Sequence, residues 1–169
     1  MKCLHRAAWL LLAFFLLSIS SCGIYSFNDV SIPADVKTVK IGYIENKARY
    51  INPSLSAQIT DAFVKKIASQ TKLTRIDDNN ADYVINGTIT NYDVTTSGVT
   101  ANQASLNRLT VGVHLILIDN TKKETKDYDV SSYFDFDANI SLPQAESKLM
   151  AQIIKDMSEA MFNKIFSNW

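Results

Sequence analysis

One cysteine near the amino end offers the clearest chemistry in this chain. Cys22 directly follows Ile19, Ser20 and Ser21, and an apolar run over residues 7–17 precedes them. An aliphatic residue and two small residues before a cysteine match the bacterial lipobox, whose cysteine is acylated and becomes the first residue of the mature protein. The alternative is an ordinary signal peptide whose first mature residue happens to be cysteine. We expect Cys22 to carry the lipid.

The first 21 residues are typical of a secretory signal. Lys2 and Arg6 give a positive start, and the eleven residues 7–17 fall short of the roughly 20 apolar residues that span a bilayer. The chain is therefore predicted to be exported rather than embedded. Each buried methylene contributes about 0.8 kcal/mol, so several acyl chains on Cys22 would hold the protein to a membrane almost permanently.

The cysteine count and the charge balance exclude several function classes. The chain has two cysteines; Cys3 leaves with the signal and Cys22 is consumed by lipid, so no thiol remains for a disulfide, a zinc site or a nucleophile. Removing Lys2 and Arg6 lowers the basic count from 17 to 15 against 17 acidic residues, a net charge of −2 for the mature chain. That balance suggests neither nucleic acid nor an anionic membrane as a partner. We expect no cofactor.

Histidine and glycine patterns give no catalytic site. His5 leaves with the signal, and His114 sits in a predicted strand, in phase with Arg108 on the less apolar face. The sequence offers no other base for a nucleophile, and the five glycines form no phosphate-binding loop. We expect no catalytic residue and no enzyme activity; an enzyme that uses Asp135, Asp137 or His114 is the alternative.

One acidic segment has the spacing of a calcium loop. Asp135, Asp137, Asn139 and Glu146 match positions 1, 3, 5 and 12 of an EF-hand. Ile140, however, occupies the position where that loop needs glycine for its sharp turn. In the alternative interpretation, Asp135 and Asp137 end a strand in solvent and Glu146 lies in the first turn of a helix, where the dipole favours an acid. We expect no metal site.

Four basic residues are candidates for binding an anionic ligand. Lys122, Lys123 and Lys126 cluster at a predicted hairpin turn, and Arg108 begins a long strand beside a predicted loop. Lysines at a turn are often simply solvated. In an exported, lipid-anchored domain close to anionic glycolipid, cationic groups at these positions would contact phosphates.

Apolar periodicity predicts the order strand, helix, strand, strand, strand, helix. A long loop is predicted over 95–105 and a turn over 119–123. Asn52-Pro53-Ser54 is typical of a helix start, and Ser141 with Gln144 fits a capping box. The predicted strands are 36–44, 83–94, 106–118 and 128–134, and the predicted helices run from 52 to 71 and from 141 nearly to 169.

This order predicts an α+β fold. Each helix has one apolar stripe and each strand one apolar face, so we expect a two-layer sandwich of a mixed four-stranded sheet with both helices packed on one face. The other sheet face would be mostly polar. Residues 1–21 form the signal peptide that is removed, 22–35 a lipidated tether, and 36–169 a single sandwich domain.

Eight short segments along the mature chain match one known family in the same order. They are Cys22–Phe27, Val36–Val39, Glu45-Asn46, Asn52-Pro53, Gly87–Tyr92, Asn107–Thr110, Phe134–Asp137 and Phe162–Trp169. With these segments the chain resembles the lipopolysaccharide-assembly lipoprotein LptE, in the form found in Bacteroidetes-type bacteria. Their order and their coverage of the mature chain carry the resemblance.

The resemblance implies a function without catalysis. Proteins of this family sit as a plug inside the outer-membrane β-barrel LptD, help that barrel assemble, and bind lipopolysaccharide on its way to the outer leaflet. The resemblance implies an outer-membrane location with the anchored domain facing the periplasm. Gly23–Phe27 lacks the acidic run that resembles a surface-sorting signal in such bacteria. The alternative is another lipid-anchored periplasmic binding module, such as an activator of a peptidoglycan synthase.

Overall fold

Two helices and six strands make up the part of the chain that the computed structural model describes, residues 32–100 and 103–167. The elements are β1 (Thr38–Ile41), β2 (Glu45–Asn46), α1 (Leu55–Gln70), β3 (Thr74–Arg75), β4 (Tyr83–Thr100), β5 (Gln103–Asp119), β6 (Glu124–Asp137) and α2 (Leu142–Phe166). Neither helix in these ranges combines the length and the apolar composition that a membrane span requires.

The strands form one mixed sheet in the order β3-β1-β4-β5-β6, with β2 also paired to β4. β1 and β2 lie parallel to β4, and β3 lies parallel to β1, whereas β5 and β6 continue the sheet in antiparallel pairing. The predicted α+β sandwich with two helices against a mixed sheet is confirmed. Six strands replace the predicted four because β2 and β3 have two residues each, too few to show a period.

Both helices begin and end where their sequence signals predict. In α1, Leu55, Ile59, Phe63 and Ile67 recur every four residues and are all buried. The helix ends where the Thr71 hydroxyl donates to the Ile67 carbonyl at 2.8 Å. These four side chains give α1 a single apolar stripe that faces the core.

Helix α2 has the predicted capping residues at its start. The Ser141 backbone N–H donates to Gln144 Oε1 at 2.9 Å, which is the glutamine half of a capping box. The buried stripe of α2 includes Ile153, Met157 and Met161, again at four-residue spacing. The sequence therefore sets both the start and the buried face of this helix.

The prediction of a long loop over 95–105 was wrong. β4 continues to Thr100 and β5 begins at Gln103, and the two strands stay paired as far as Thr100 and Gln103 with register shifts near Gly98. Residues 95–100 include three threonines and Val99, and their β-branched side chains favour extended backbone. Small polar residues are typical of a loop, but they also fit a two-stranded arm that is exposed to solvent.

A β-bulge keeps the apolar side chains of β4 on one face. The pairing with β5 shifts between Ile89 and Asn91, so Thr90 is the extra residue. Ile89 and Tyr92 are three positions apart, yet both are buried on the side of the helices. Without the bulge, strict alternation would have placed Tyr92 on the open face of the sheet.

The two faces of the sheet differ sharply in polarity. On the helix side, β5 buries the alternate residues Leu109, Val111, Val113, Leu115 and Leu117. Neither helix of the described residues covers the opposite face, and we call it the open face. Its residues on β5 and β6 are Arg108, Thr110, Gly112, His114, Ile116, Asp127, Asp129, Ser131, Tyr133 and Asp135.

Candidate functional site

The acylation motif lies outside the described residues. Cys22, the signal over 1–21 and most of the tether over 22–35 precede Ile32, the first residue that the structure describes. Ile32 itself is partly buried and packs against the core. Acylation of Cys22 and the boundary at residue 36 therefore stay predictions.

The turn between β5 and β6 displays two lysines on a firmly held backbone. Asp119 is buried, and its Oδ1 accepts hydrogen bonds from the Thr121 hydroxyl (2.6 Å) and from the backbone N–H groups of Thr121 and Lys122 (both 3.0 Å). Burial by itself would raise the pKa of Asp119, but these bonds hold that pKa below its usual range. Lys122 and Lys123 are exposed, and Lys123 has a positive φ of 56°.

A second set of hydrogen bonds ties this turn to the beginning of β1. Asn120 donates through its backbone N–H to the Asp82 carbonyl at 2.9 Å and through Nδ2 to the Ala81 carbonyl at 2.7 Å. Asp82 Oδ2 accepts 2.8 Å bonds from the backbone N–H groups of Lys37 and Thr38. Those bonds lower the pKa of Asp82. We call the turn that carries Lys122 and Lys123 the lysine turn. The lysine turn and the start of β1 are thus held at the same end of the sheet.

The four predicted basic residues do not form one site. Lys122 and Lys123 lie at the turn, and Lys126 Nζ is 3.7 Å from Glu124 Oε2. Arg108 lies eleven residues along β5 from Asp119, which corresponds to about 35 Å at roughly 3.3 Å per residue. A ligand that contacts both ends would have to cross the length of the sheet.

Arg108 already has an anionic partner. Its Nε and one terminal nitrogen donate to the two carboxylate oxygens of Asp135 at 2.7 and 2.9 Å, and its guanidinium lies 5.5 Å from the ring centre of Tyr133. The Arg108 hydrogen bond lowers the pKa of Asp135. This paired geometry neutralises much of the charge that Arg108 offers to another anion.

His114 is held between two carboxylates on the open face. Its Nδ1 is 2.9 Å from Asp129 Oδ1 and its Nε2 is 3.4 Å from Asp127 Oδ1. The hydrogen bond to Asp129, followed by the charges of Asp129 and Asp127, raises the pKa of His114 although partial desolvation opposes the shift. The predicted phase of His114 with Arg108 on this face is confirmed.

A buried polar network joins both helices to the sheet, and the sequence analysis missed it. The Tyr92 hydroxyl donates to Glu146 Oε1 at 2.7 Å, and Asn52 Nδ2 donates to the same oxygen at 3.0 Å. Tyr92 is 1% exposed, and Asn52 and Glu146 are 8% exposed. Burial, and then the bond to Glu146, raises the pKa of Tyr92 far above its usual range, so the phenol stays a donor. Glu146 lies on the same face of α2 as buried Ile153. A charged residue within this apolar stripe was the sequence signal that could have revealed the network.

The four residues with calcium-loop spacing do not converge. Asp135 binds Arg108, whereas Asp137 Oδ1 accepts the backbone N–H of Asn139 at 2.8 Å. Glu146 points into the core on the opposite side of the sheet from Asp135. Within residues 32–100 and 103–167, no three acidic, histidine or cysteine side chains are grouped to hold a metal ion.

A family model covers nearly all of the described domain. The model for LptE, described as lipopolysaccharide-assembly, matches residues 36–168. The chain belongs to the LptE family. The match takes in both helices and every strand of the sheet, so the resemblance to the LptE family is confirmed, while the Bacteroidetes form stays a prediction. No curated protein matches the sequence significantly.

Solved structures share the LptE-like fold at low sequence identity. A minor lipoprotein from Acinetobacter baumannii aligns with a TM-score of 0.52 at 13% identity, covering 77% of this chain and 92% of its own. Rare lipoprotein B from Shewanella oneidensis aligns at 0.50 and 13%, covering 75% and 89%. A Xanthomonas campestris protein aligns at 0.57 and 9%, covering 80% and 87%. At these identities the structures show a shared fold.

Family membership gives the broad role. LptE proteins are outer-membrane lipoproteins of lipopolysaccharide transport, and this assignment is consistent with a protein that is not an enzyme. The lysine turn, Arg108 and the open face are therefore best considered as surfaces for binding.

We predict that the buried network contributes measurably to stability. Tyr92→Phe removes one of two donors to Glu146 and should lower the free energy of unfolding by about 1–3 kcal/mol in urea titrations. Tyr133→Phe is the matched control, because that side chain is exposed and only its ring lies near Arg108. The control should change stability by less than about 0.5 kcal/mol. Equal effects of the two substitutions would contradict the network.

We also predict a pH-dependent contribution from His114. Because its pKa is raised in the folded state, the stabilisation is fully present below the unfolded value of about 6.5 and is lost as pH rises through the folded pKa. His114→Gln should therefore lower the melting temperature more at pH 5.5 than at pH 9. Asp129→Asn should bring the pKa of His114, followed by NMR, back toward 6.5. A wild-type value at or below 6.5 would contradict the prediction, because the carboxylates would then not outweigh the opposing desolvation.

Proposed function

We propose that this chain acts as plug and assembly partner of an LptD-type β-barrel and binds lipopolysaccharide without catalysis as it moves to the outer leaflet. The observation that carries the proposal is the family match over residues 36–168, which spans the whole sandwich. A binding role of this kind needs surfaces rather than a catalytic pocket. The structure offers two such surfaces, the open face and the lysine turn.

The open face suits the interior of a barrel. The lumen of an outer-membrane barrel is polar and contains water. The outer sheet face of a soluble β-sandwich is normally either covered by another element or lined by charged side chains. Here Asp127, Asp129, Asp135, His114 and Arg108 lie on one uncovered sheet surface. Such a surface remains hydrated inside a lumen and makes hydrogen bonds with its wall.

Acylation of Cys22 would fix the place of action. Several acyl chains on this residue would anchor the domain in the outer membrane, with the folded part on the periplasmic side. Residues 23–37 would then join the lipid to β1. This anchoring keeps the plug close to its barrel during assembly.

The lysine turn is our proposed contact for lipopolysaccharide phosphates. Lys122 and Lys123 project from a turn whose backbone is fixed by Asp119, and Lys126 follows at the start of β6. A fixed backbone reduces the conformational freedom that is lost on binding. Arg108 is a second proposed contact, and its pairing with Asp135 should make its contribution smaller.

Recovery of a partner from membranes tests the function. The acylated protein, purified through a carboxyl-terminal affinity tag in mild detergent, should bring a large β-barrel with it. Cys22→Ser is the control: the domain should fold normally but leave the membrane fraction. Recovery of a peptidoglycan synthase in place of a barrel would favour the alternative of a lipid-anchored synthase activator.

Charge removal at the turn should weaken lipopolysaccharide binding. Exposed ion pairs contribute about 0.2–1 kcal/mol each, so Lys122→Ala with Lys123→Ala should raise the dissociation constant about twofold to thirtyfold. The effect should shrink with added salt. The matched control is Lys65→Ala with Lys72→Ala, two exposed lysines outside the turn. We expect Arg108→Ala to have the smaller effect, and equal binding by the turn variant and the control would exclude the turn as a contact.

A further inference from the structure

The last strand of the sheet has an unusually regular outer edge. In the described residues β6 pairs only with β5, and fourteen consecutive residue pairs from Asp119 and Glu124 to Leu106 and Asp137 follow without a register shift. The backbone groups that point away from β5 form a row along that edge. Edge strands without bulges are templates for the addition of a further strand.

The centre of β6 lacks the usual features that prevent strand addition. Val130, Ser131, Ser132, Tyr133 and Phe134 carry no charge and include no proline or glycine. Charged residues and prolines are the common means by which proteins block an exposed edge. The uncharged window is long enough to pair with a five-residue extended segment.

A groove lies alongside one part of this edge. It has a volume of about 810 Å³ and is lined on one side by residues 127–131 of β6. Its other side is formed by the end of α2, including Ala160, Lys164 and Ile165, and by Ser167. A chain that pairs with β6 would place its inward side chains in this groove.

We propose that the outer edge of β6 binds an extended segment of a partner protein as an added strand, with basic and apolar residues alternating in that segment. The segment would pair along Asp127–Phe134 through backbone hydrogen bonds. Its basic side chains would lie on the open face and its apolar side chains over the groove. This inference rests on β6 and the groove beside it and does not depend on the proposed role as a plug.

The charge pattern on the open face selects the basic residues. Asp127 and Asp129 project there from β6, and the side chain of Asp129 is 88% exposed. His114 contacts both carboxylates but can carry at most one positive charge. A lysine or arginine on the added strand would lie directly across from one of these aspartates, where opposite charges stabilise strand pairing.

The opposite side of β6 selects the apolar residues. On this side Val130 is buried and Ile165 is partly buried, and both line the groove together with Ala160 and the polar residues Asn163, Lys164 and Ser167. Because side chains alternate along a strand, a segment with basic residues on one face presents its other residues to this groove, where Val130, Ala160 and Ile165 offer apolar contacts and Lys164 disfavours a further basic side chain. The partner segment therefore alternates basic and apolar residues because the side chains of β6 alternate between the open face and the groove.

The same charges disfavour a second copy of this chain as the partner. An antiparallel pair of two β6 strands centred at Ser132 would set Asp129 opposite Asp135 of the second copy. It would also set Asp127 opposite Asp137. Like charges directly opposite one another destabilise a strand pair. A cationic segment is the better occupant.

A synthetic strand tests the proposal directly. The probe is a capped decapeptide of alternating lysine and valine, with a glutamate-valine decapeptide for comparison. Fluorescence anisotropy should show binding of the lysine peptide to the folded protein, and hydrogen exchange of the backbone N–H groups should slow along residues 127–134. Absence of binding, or slowed exchange confined to other strands, would overturn the proposal.

Backbone methylation separates strand addition from simple charge attraction. A lysine-valine decapeptide with methylated backbone amides keeps every charge but cannot donate backbone hydrogen bonds. We expect its dissociation constant to be at least about tenfold higher, corresponding to roughly one to two lost hydrogen bonds. Equal affinity of both peptides would mean that charge alone binds them, and the proposal would fail.

A charge reversal on the protein provides the reciprocal test. Asp129→Lys should weaken the lysine peptide about threefold to fivefold and strengthen the glutamate peptide. Asp61→Lys makes the same change at an exposed site on α1 and should leave both affinities unchanged. Circular dichroism confirms that both variants fold. Equal effects of the two variants would contradict the assignment of the open-face contact.

The chain's own residues 168 and 169 follow Ser167, which lines the groove, and they are the competing occupant. A protein that ends at Ser167 should bind the lysine peptide as well as the full chain does. Binding only after this shortening would assign the groove to those two residues and would overturn the proposal of a partner strand.

Discussion

A sheet that packs against helices on one face only has to direct its apolar side chains to that face. The five alternate residues of β5 from Leu109 to Leu117 achieve this through an uninterrupted alternation. β4 achieves it through the extra residue at Thr90, which returns Tyr92 to the buried face after Ile89. This single constraint on register determines which side chains enter the core and which lie on the polar surface, because a side chain placed on one face is removed from the other.

Within that core, Glu146 joins parts that are distant along the chain. Its carboxylate accepts hydrogen bonds from Tyr92 on β4 and from Asn52 just before α1, while Glu146 itself lies near the start of α2. Tyr50 stacks on the Tyr92 ring with 5.6 Å between ring centres. The starts of both helices are therefore fixed to one strand, and loss of any partner leaves a buried polar group without its bond.

Local signals in the sequence predicted most of the fold but little of its polar interior. The stripe of α1 from Leu55 to Ile67 and the pairing of Ser141 with Gln144 depend on residues close together in sequence. The bulge at Thr90 and the bonds of Glu146 depend on partners 21 or more positions away, which periodicity does not specify. The threonine-rich arm over 95–100 looked like a loop because its strand character comes from pairing with β5. The candidate cations were found, and the predicted strand 106–118 already separated Arg108 from the turn lysines, but the pairing of Arg108 with Asp135 became visible only in the fold.

The bonds from Asn120 and Asp82 set the position of the lysine turn relative to the point where the chain enters the sheet. They hold the lysine turn beside Lys37 and Thr38, where the chain enters the sheet from the amino side. Cys22 lies ten positions before Ile32, and a chain of that length spans at most about 35 Å. A lipid on Cys22 would therefore limit how far the lysine turn can lie from the headgroup layer. The tether would then enter the domain at the same end of the sheet as its exposed lysines, opposite the β4–β5 arm.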